Sequence, residues 1–213
     1  MLISATLATL YMVFTSGLLA LICGLPLSLF LVFTSKEGVT PRPFLNRLVG
    51  LLVNITRSFP FAILIIALIP LTRLIIGTSL GTTAAIVPLT VAAIPFFARL
   101  AESSFKEVSP AIIESALIMG ATPLQIARYI LIPESLPSLL RNFSNLLISL
   151  LGYSTMAGLV GGGGLGKVAV YYGYYQFNTP LMVCTVIILI LLVELIQGLF
   201  NCIGRSINKK RGL

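Results

Sequence analysis

The sequence predicts an all-α integral membrane protein with five transmembrane helices. Three observations carry that prediction. Only 9% of the 213 residues are charged and 57% are hydrophobic, where a soluble domain carries roughly 25% charged residues. The mean hydropathy is +1.06. Apolar runs long enough to cross a bilayer, about 20 residues each, recur along the chain, and cations gather in alternate connections between them. No segment has the size and polarity of a soluble domain, so residues 1–213 read as one membrane domain.

The first span covers about 7–34. Residues 1–34 carry no charge, and the apolar run exceeds the 7–15 residues of a signal-peptide core, so it is expected to stay as a span. Gly17, Gly24 and Pro26 lie inside it. The second, about 48–72, holds Arg57 and Pro60. The third, about 79–97, holds Pro88 and Pro95. A long polar connection over 101–141 precedes the fourth, about 143–160, and the fifth covers about 180–203 with Glu194 inside. Helix breakers within spans are tolerated where neighbours satisfy the freed backbone groups. They read either as bends around a pathway or as ordinary membrane-helix composition.

The charges orient the chain. Lys36, Arg42 and Arg47 lie in the first connection, Arg99, Lys106, Arg128 and Arg141 in the third, and Arg205, Lys209, Lys210 and Arg211 in the tail. These are eleven of the fourteen basic residues. Arg73 and Lys167 fall on the other side. Cytoplasmic loops carry the excess of Lys and Arg, which puts the N-terminus outside and the C-terminus in the cytoplasm. The same distribution explains the net charge of +8 without nucleic acid.

Several chemistries are excluded. All six acids are Glu, and His is absent, so no metal centre, histidine switch or Ser-His-Asp triad is expected. Cys23, Cys184 and Cys202 sit in apolar runs with no CxxC and read as small buried hydrophobes. Residues 161–167, GGGGLGK, fit both GxxxxGK and GxGxxG. A P-loop needs Ser or Thr next, and Val168 stands there. A dinucleotide fold needs a preceding strand and an acid about 20 residues on. Neither motif holds; the glycines are expected to let backbone bend closely at the outer end of the fourth span.

The 101–141 connection is organised. Ser109 reads as an N-cap with Pro110 in the first turn, and Gly120 is placed to stop that helix. Thr122-Pro123-Leu124-Gln125 restarts a second one with a capping box, expected to end before Pro133, with 135–137 leading into the fourth span. A DNA-binding helix-turn-helix would need several basic residues on one face, and between 110 and 137 there is only Arg128. A capped, mostly apolar helix pair suits a protein groove.

Residues 114–133, ESALIMGATPLQIARYILIP, resemble the EAA loop of ABC-importer permeases, with Ser115 in place of the first Ala and I-L-I-P at the end. The flanks RSFPF (57–61), IPLTR (69–73), AAIVPLTVAAIPFFAR (84–99) and GYSTMAGLVGGGGLG (152–166) resemble methionine-import permeases. The resemblance implies the type I ABC-importer permease fold, a bacterial cytoplasmic (inner) membrane location and a homodimer. It implies two ATPase subunits that hold ATP and Mg²⁺, no cofactor in this chain, and an extracytoplasmic binding protein. It also implies that the first short helix docks in a groove of the ATPase, with Glu114, Ser115, Ala116, Met119, Gly120, Ala121 and Thr122 at the contact. Methionine as cargo comes from the resemblance alone.

Within the spans, Tyr153, Met156 and Gly158 form a mixed polar and small-residue stretch suited to a pathway. Met156 from two subunits is expected to form a gate, or else to fill packing gaps. Arg57 and Glu194 each lie about 15 Å from the cytoplasmic cations, Arg47 and Arg205, at 1.5 Å per residue. An unpaired charge there costs on the order of 2.5–3.5 kcal/mol or more. They are expected to pair; the alternatives are snorkelling by Arg57 and a neutral Glu194. Tyr171, Tyr172, Tyr174, Tyr175 and Phe177 read as an interfacial aromatic belt or, by the resemblance, as the binding protein's docking surface. The rival to an ATP-driven permease is an ion-coupled secondary transporter or channel, which would place ionisable residues at the midplane.

Overall fold

A computed structural model describes residues 1–210; Arg211, counted above with the basic tail, lies outside the described residues. The elements are α1 (Leu2–Phe33), α2 (Pro43–Ser58), α3 (Phe61–Ala67), α4 (Ile69–Ile76), α5 (Thr82–Lys106), α6 (Pro110–Ile118) and α7 (Pro123–Ile126). A π-helical segment π1 (Ala127–Leu131), α8 (Ile132–Leu159), α9 (Gly164–Lys167), π2 (Val168–Tyr175) and α10 (Thr179–Lys210) follow.

The core is the mutual packing of α1, α5 and α8, with α2, α3 and α4 laid against α5 and α10 against α8 and π2. The buried residues of α1 recur at three- and four-residue steps, from Thr9, Met12 and Ser16 through Ala20, Gly24 and Ser28 to Leu31. Most are small. Lipid tails are as apolar as Leu, so membrane helices associate through close packing rather than water exclusion, and small residues on one stripe permit it. Phe97, Leu89, Leu146, Leu147 and Leu150 fill the space opposite and are fully buried.

The prolines divide into two kinds. Pro26, Pro88, Pro95 and Pro137 stay inside continuous helices. Pro60 breaks the chain: α2 and α3 meet at 102°, with Phe59 extended before it, as a residue preceding proline prefers. The apolar stretch 48–72 is therefore three short helices.

The helices also outrun the apolar runs. α5 continues past Phe97 to Lys106, and α8 begins at Ile132, so much of the 101–141 connection is helical extension. The second short helix does not end before Pro133. It passes through π1 into α8, and the Ile132 N–H donates to the Ala127 carbonyl in the wide π pattern. A proline ring clashes with the carbonyl four residues back; the widened turn just before Pro133 gives it room. By length and composition, three helices among the described residues could cross a membrane, or up to five if each bent pair counts as one span.

Candidate functional site

The α6 segment is the part of the 101–141 connection that stands apart, packing only lightly on the other helices. Its start is set by Pro110 at the first position after Ser109, although the Ser109 side chain makes no capping bond. Its end is set by Gly120, at φ +80°. The Gly120 N–H donates to the Leu117 carbonyl at 2.9 Å and the Ala121 N–H to the Ala116 carbonyl at 3.0 Å. That paired arrangement is the Schellman closure, which needs a left-handed residue and so favours Gly. Two residues on, Thr122 and Gln125 form the predicted capping box: the Thr122 N–H donates to Gln125 Oε1 at 2.7 Å and the Gln125 N–H to Thr122 Oγ1 at 3.4 Å. Both sides of the turn are thus specified by local hydrogen bonds.

The two ends frame an apolar surface. Ala116 is buried beneath α6, while Met119 is 81% exposed, Ile118 87% and Leu124 77%. Glu114 and Ser115 are exposed, and the Ser115 hydroxyl donates back to the Ala111 carbonyl at 2.7 Å. Gly120 and Thr122 are exposed and Ala121 is half-buried. Ile118, Leu124 and the exposed Tyr129 extend this face beyond the residues singled out from the sequence. The signal was present: large apolar side chains in a connection that should be polar. An exposed apolar patch rimmed by polar groups marks an interaction site.

Behind this face, polar groups lock α5 to its neighbours. Glu102, only 7% exposed, holds Arg99 at 2.6 Å and Lys106 at 2.7 Å. Arg99 also donates to the Gly50 carbonyl at 2.9 Å and to Asn54 Oδ1 at 3.2 Å, joining α2 to α5. Ser104 meets Ser138 at 3.1 Å and accepts from Asn142 Nδ2 at 2.8 Å, joining α5 to α8. The Ser138 hydroxyl donates to Glu107 at 3.1 Å. Arg99 and Lys106, read above only as orienting charges, are structural partners. Their spacing from Glu102 is the i,i+3 and i,i+4 signature of helical ion pairs.

At the opposite end of α8 the Gly-rich run takes the role expected of it. Gly161, Gly163 and Gly164 have positive φ, the Gly81 N–H donates to the Gly161 carbonyl at 2.9 Å, and the Leu165 N–H donates to buried Thr9 Oγ1 at 2.9 Å. Beyond it, Tyr171, Tyr174, Tyr175 and Phe177 are exposed.

A helix with an apolar face is thus slung between two long interlocked helices. Residues 16–209 match the family described as binding-protein-dependent transport system inner membrane component. The chain belongs to this family. It is 49% identical over 210 residues to the probable D-methionine transport system permease protein MetI of Vibrio cholerae, covering 99% of this chain and 93% of that one. Two crystal forms of the inward-facing MetNI methionine ABC transporter superpose with TM-scores of 0.93 and 0.95. They are 45% and 44% identical, cover 94% and 97% of this chain, and the match spans 93% and 95% of theirs. As an inner membrane component of that family, the chain is a permease subunit and not the ATPase, and the ion-coupled alternative is set aside.

The remaining candidates of this permease separate by geometry. Tyr153 stacks on Phe61 with ring centroids 4.7 Å apart, fixing α8 to α3. Met156 is 43% exposed on the single chain. Gly158 does not face open space: it is buried, and a Cβ there would strike the backbone of Gly166 and Lys167. Its absent side chain serves close packing of α8 on α9.

Arg57 and Glu194 form no ion pair with each other among the described residues. Arg57 ends α2, which packs on α5, and its guanidinium sits 5.7 Å from the Phe96 ring centroid. Glu194 belongs to α10, which packs on α8, and borders a shallow recess with Gly152 and Thr155. Equal depth in sequence did not place them on facing helices, since α10 and α2 pack against different neighbours.

Proposed function

We propose that this chain is the transmembrane subunit of an ABC importer that carries methionine, in L and D forms, into the cytoplasm. It works as a homodimer with two ATPase subunits on the α6 face and an extracytoplasmic binding protein at the other side. The observation that carries the reading is α6, a short helix started at Pro110 and closed at its C-terminus by the Gly120 turn, exposing Ile118 and Met119. Such a helix lays apolar anchors into a protein groove. The cargo follows from relatives whose names specify methionine, and the binding protein from the family's description.

The mechanism follows from what α6 is tied to. When ATP draws the ATPase subunits together, each α6 is carried with them. The turn at Gly120 passes that motion to α7, and the unbroken rod through π1 delivers it to α8. The Ser104, Ser138 and Asn142 bonds oblige α5 to follow. Five spans, with the N-terminus outside and the basic connections in the cytoplasm, fit this arrangement. Met156, exposed on one chain, faces its counterpart as the gate.

The test is to purify the chain with its genomic neighbours, check for a stably bound ATPase, and measure ATP-dependent uptake of labelled L- and D-methionine in proteoliposomes. Uptake driven by an ion gradient with no ATPase partner refutes the reading.

A further inference from the structure

We propose that Arg57, ringed by Phe59, Phe61, Phe96 and Tyr153, is the carboxylate-binding element of the translocation pathway. The ligand class is an α-amino acid with an apolar side chain. This inference rests on the reading of the chain as an amino-acid permease and adds to it a site within the membrane.

The backbone supplies the first argument. Helix α2 stops at Ser58 and α3 departs at 102°, with Pro60 lacking an N–H. Non-helical backbone at membrane depth persists only where it is buried in protein or lines a water-filled cavity. Residues 57–60 are exposed on this chain, so in the homodimer the break faces the partner subunit or a water-filled pathway rather than lipid.

The charge supplies the second. Arg57 lies about 15 Å beyond Arg47 along α2. Its contact among the described residues is the Phe96 ring, which leaves its N–H donors without hydrogen-bond or ion-pair partners; guanidinium presents five, in a fork that matches a carboxylate. A charge at this depth is costly against lipid. The sides of α2 show which way it faces. Phe44, Leu48, Leu51, Leu52 and Ile55 form an exposed apolar stripe fit for lipid. Arg47, Gly50, Asn54 and Arg57 recur at three- and four-residue steps on the other side, where Gly50 and Asn54 accept from Arg99 of α5. A polar seam therefore climbs from the Arg99–Glu102 pair to Arg57 at the helix break.

The surroundings supply the third. Arg57, Phe59, Phe61, Phe96 and Tyr153 border one small cavity of about 30 Å³, above the roughly 10–15 Å³ on that measure that admits one water. It has room for a small polar head and not for a whole amino acid, whose side chain would extend along the rings. Aromatic edges suit an apolar or thioether side chain. Anion-matched guanidinium beside aromatic walls selects a carboxylate on an apolar residue.

The experiment uses the permease purified with its ATPase and binding protein, in proteoliposomes. Arg57→Gln is expected to lower initial methionine uptake roughly 10- to 100-fold, the range for losing a charged hydrogen bond, while still co-purifying with the ATPase. Arg57→Lys should recover part of the rate, because the charge stays and the bidentate fork is lost. Arg57→Met, which keeps a long side chain over Phe96, should not. Phenylglyoxal labelling of Arg57 in the wild-type complex gives a readout independent of any variant's folding: millimolar methionine should protect Arg57 and methioninamide should not. Wild-type uptake by Arg57→Met, or equal labelling with and without methionine, overturns the proposal while leaving the importer reading intact. A wild-type complex that moves no methionine overturns the cargo reading instead, and the variants are then compared on the carboxylate it does carry.

Discussion

Replacing Gly158 by Ala separates a packing role for that residue from a gating one. A Cβ at position 158 would sit 2.6 Å from the Gly166 carbonyl carbon and 2.8 Å from its Cα, and closer still to the Lys167 nitrogen. Carbon atoms pack at about 3.5–4.0 Å, so α9 would have to retreat by about 1 Å. Backbone cannot rotate away as a side-chain tip can, and the Leu165 N–H bond to buried Thr9 Oγ1 at 2.9 Å holds α9 in place. Overpacking of this kind costs about 1–3 kcal/mol, and straining that bond adds up to about 1 kcal/mol. The higher helix propensity of Ala returns up to about 1 kcal/mol. The net is about 1–3 kcal/mol of destabilisation, or a thermal midpoint lowered by about 3–10 °C for a chain this size. The assay is the fraction of detergent-solubilised complex that survives heating, followed by size-exclusion chromatography. Gly198→Ala is the reference, because a Cβ there meets nothing within 4 Å and should leave the midpoint unchanged or slightly raised. If Gly158→Ala melts at or above Gly198→Ala while transport changes, the close-packing argument is wrong.

Three further outcomes follow from the α6 face and α8. Ile118→Asp with Met119→Asp puts two charges where apolar anchors stand, and should reduce co-purification of the ATPase at least tenfold; unchanged recovery would remove α6 as the grip. Thr122→Ala deletes half of the capping box and should cost about 1 kcal/mol of local stability, read as faster amide exchange over 124–126 with little change elsewhere. Met156→Ala should raise ATP hydrolysed per methionine transported if Met156 closes the pathway, and an unchanged ratio would assign Met156 to packing.

The boundary between what could be read and what could not follows the range of the interactions. Apolar runs, cation placement, the turn at Gly120 and the capping box at Thr122 are set by residues within a few positions of one another, so pattern and spacing sufficed. The same local logic delimited the short helix over 110–118 and rejected the 161–167 run as a P-loop. Pro60 looked no different from Pro26, Pro88 or Pro95; which proline breaks a helix depends on whether neighbours accommodate the ring and the freed carbonyl. Arg57 and Glu194 matched in depth along the chain, yet depth says nothing about which helix faces which. Nothing near Gly158 in the sequence announced that α9 packs on it. The sequence alone determined that this is a membrane chain with a short apolar helix stopped at Gly120, because hydropathy and helix stops are local. Only the tertiary structure decided which helices pack together and which residues lie between them, because lateral order in a helix bundle arises from packing between segments far apart in the chain.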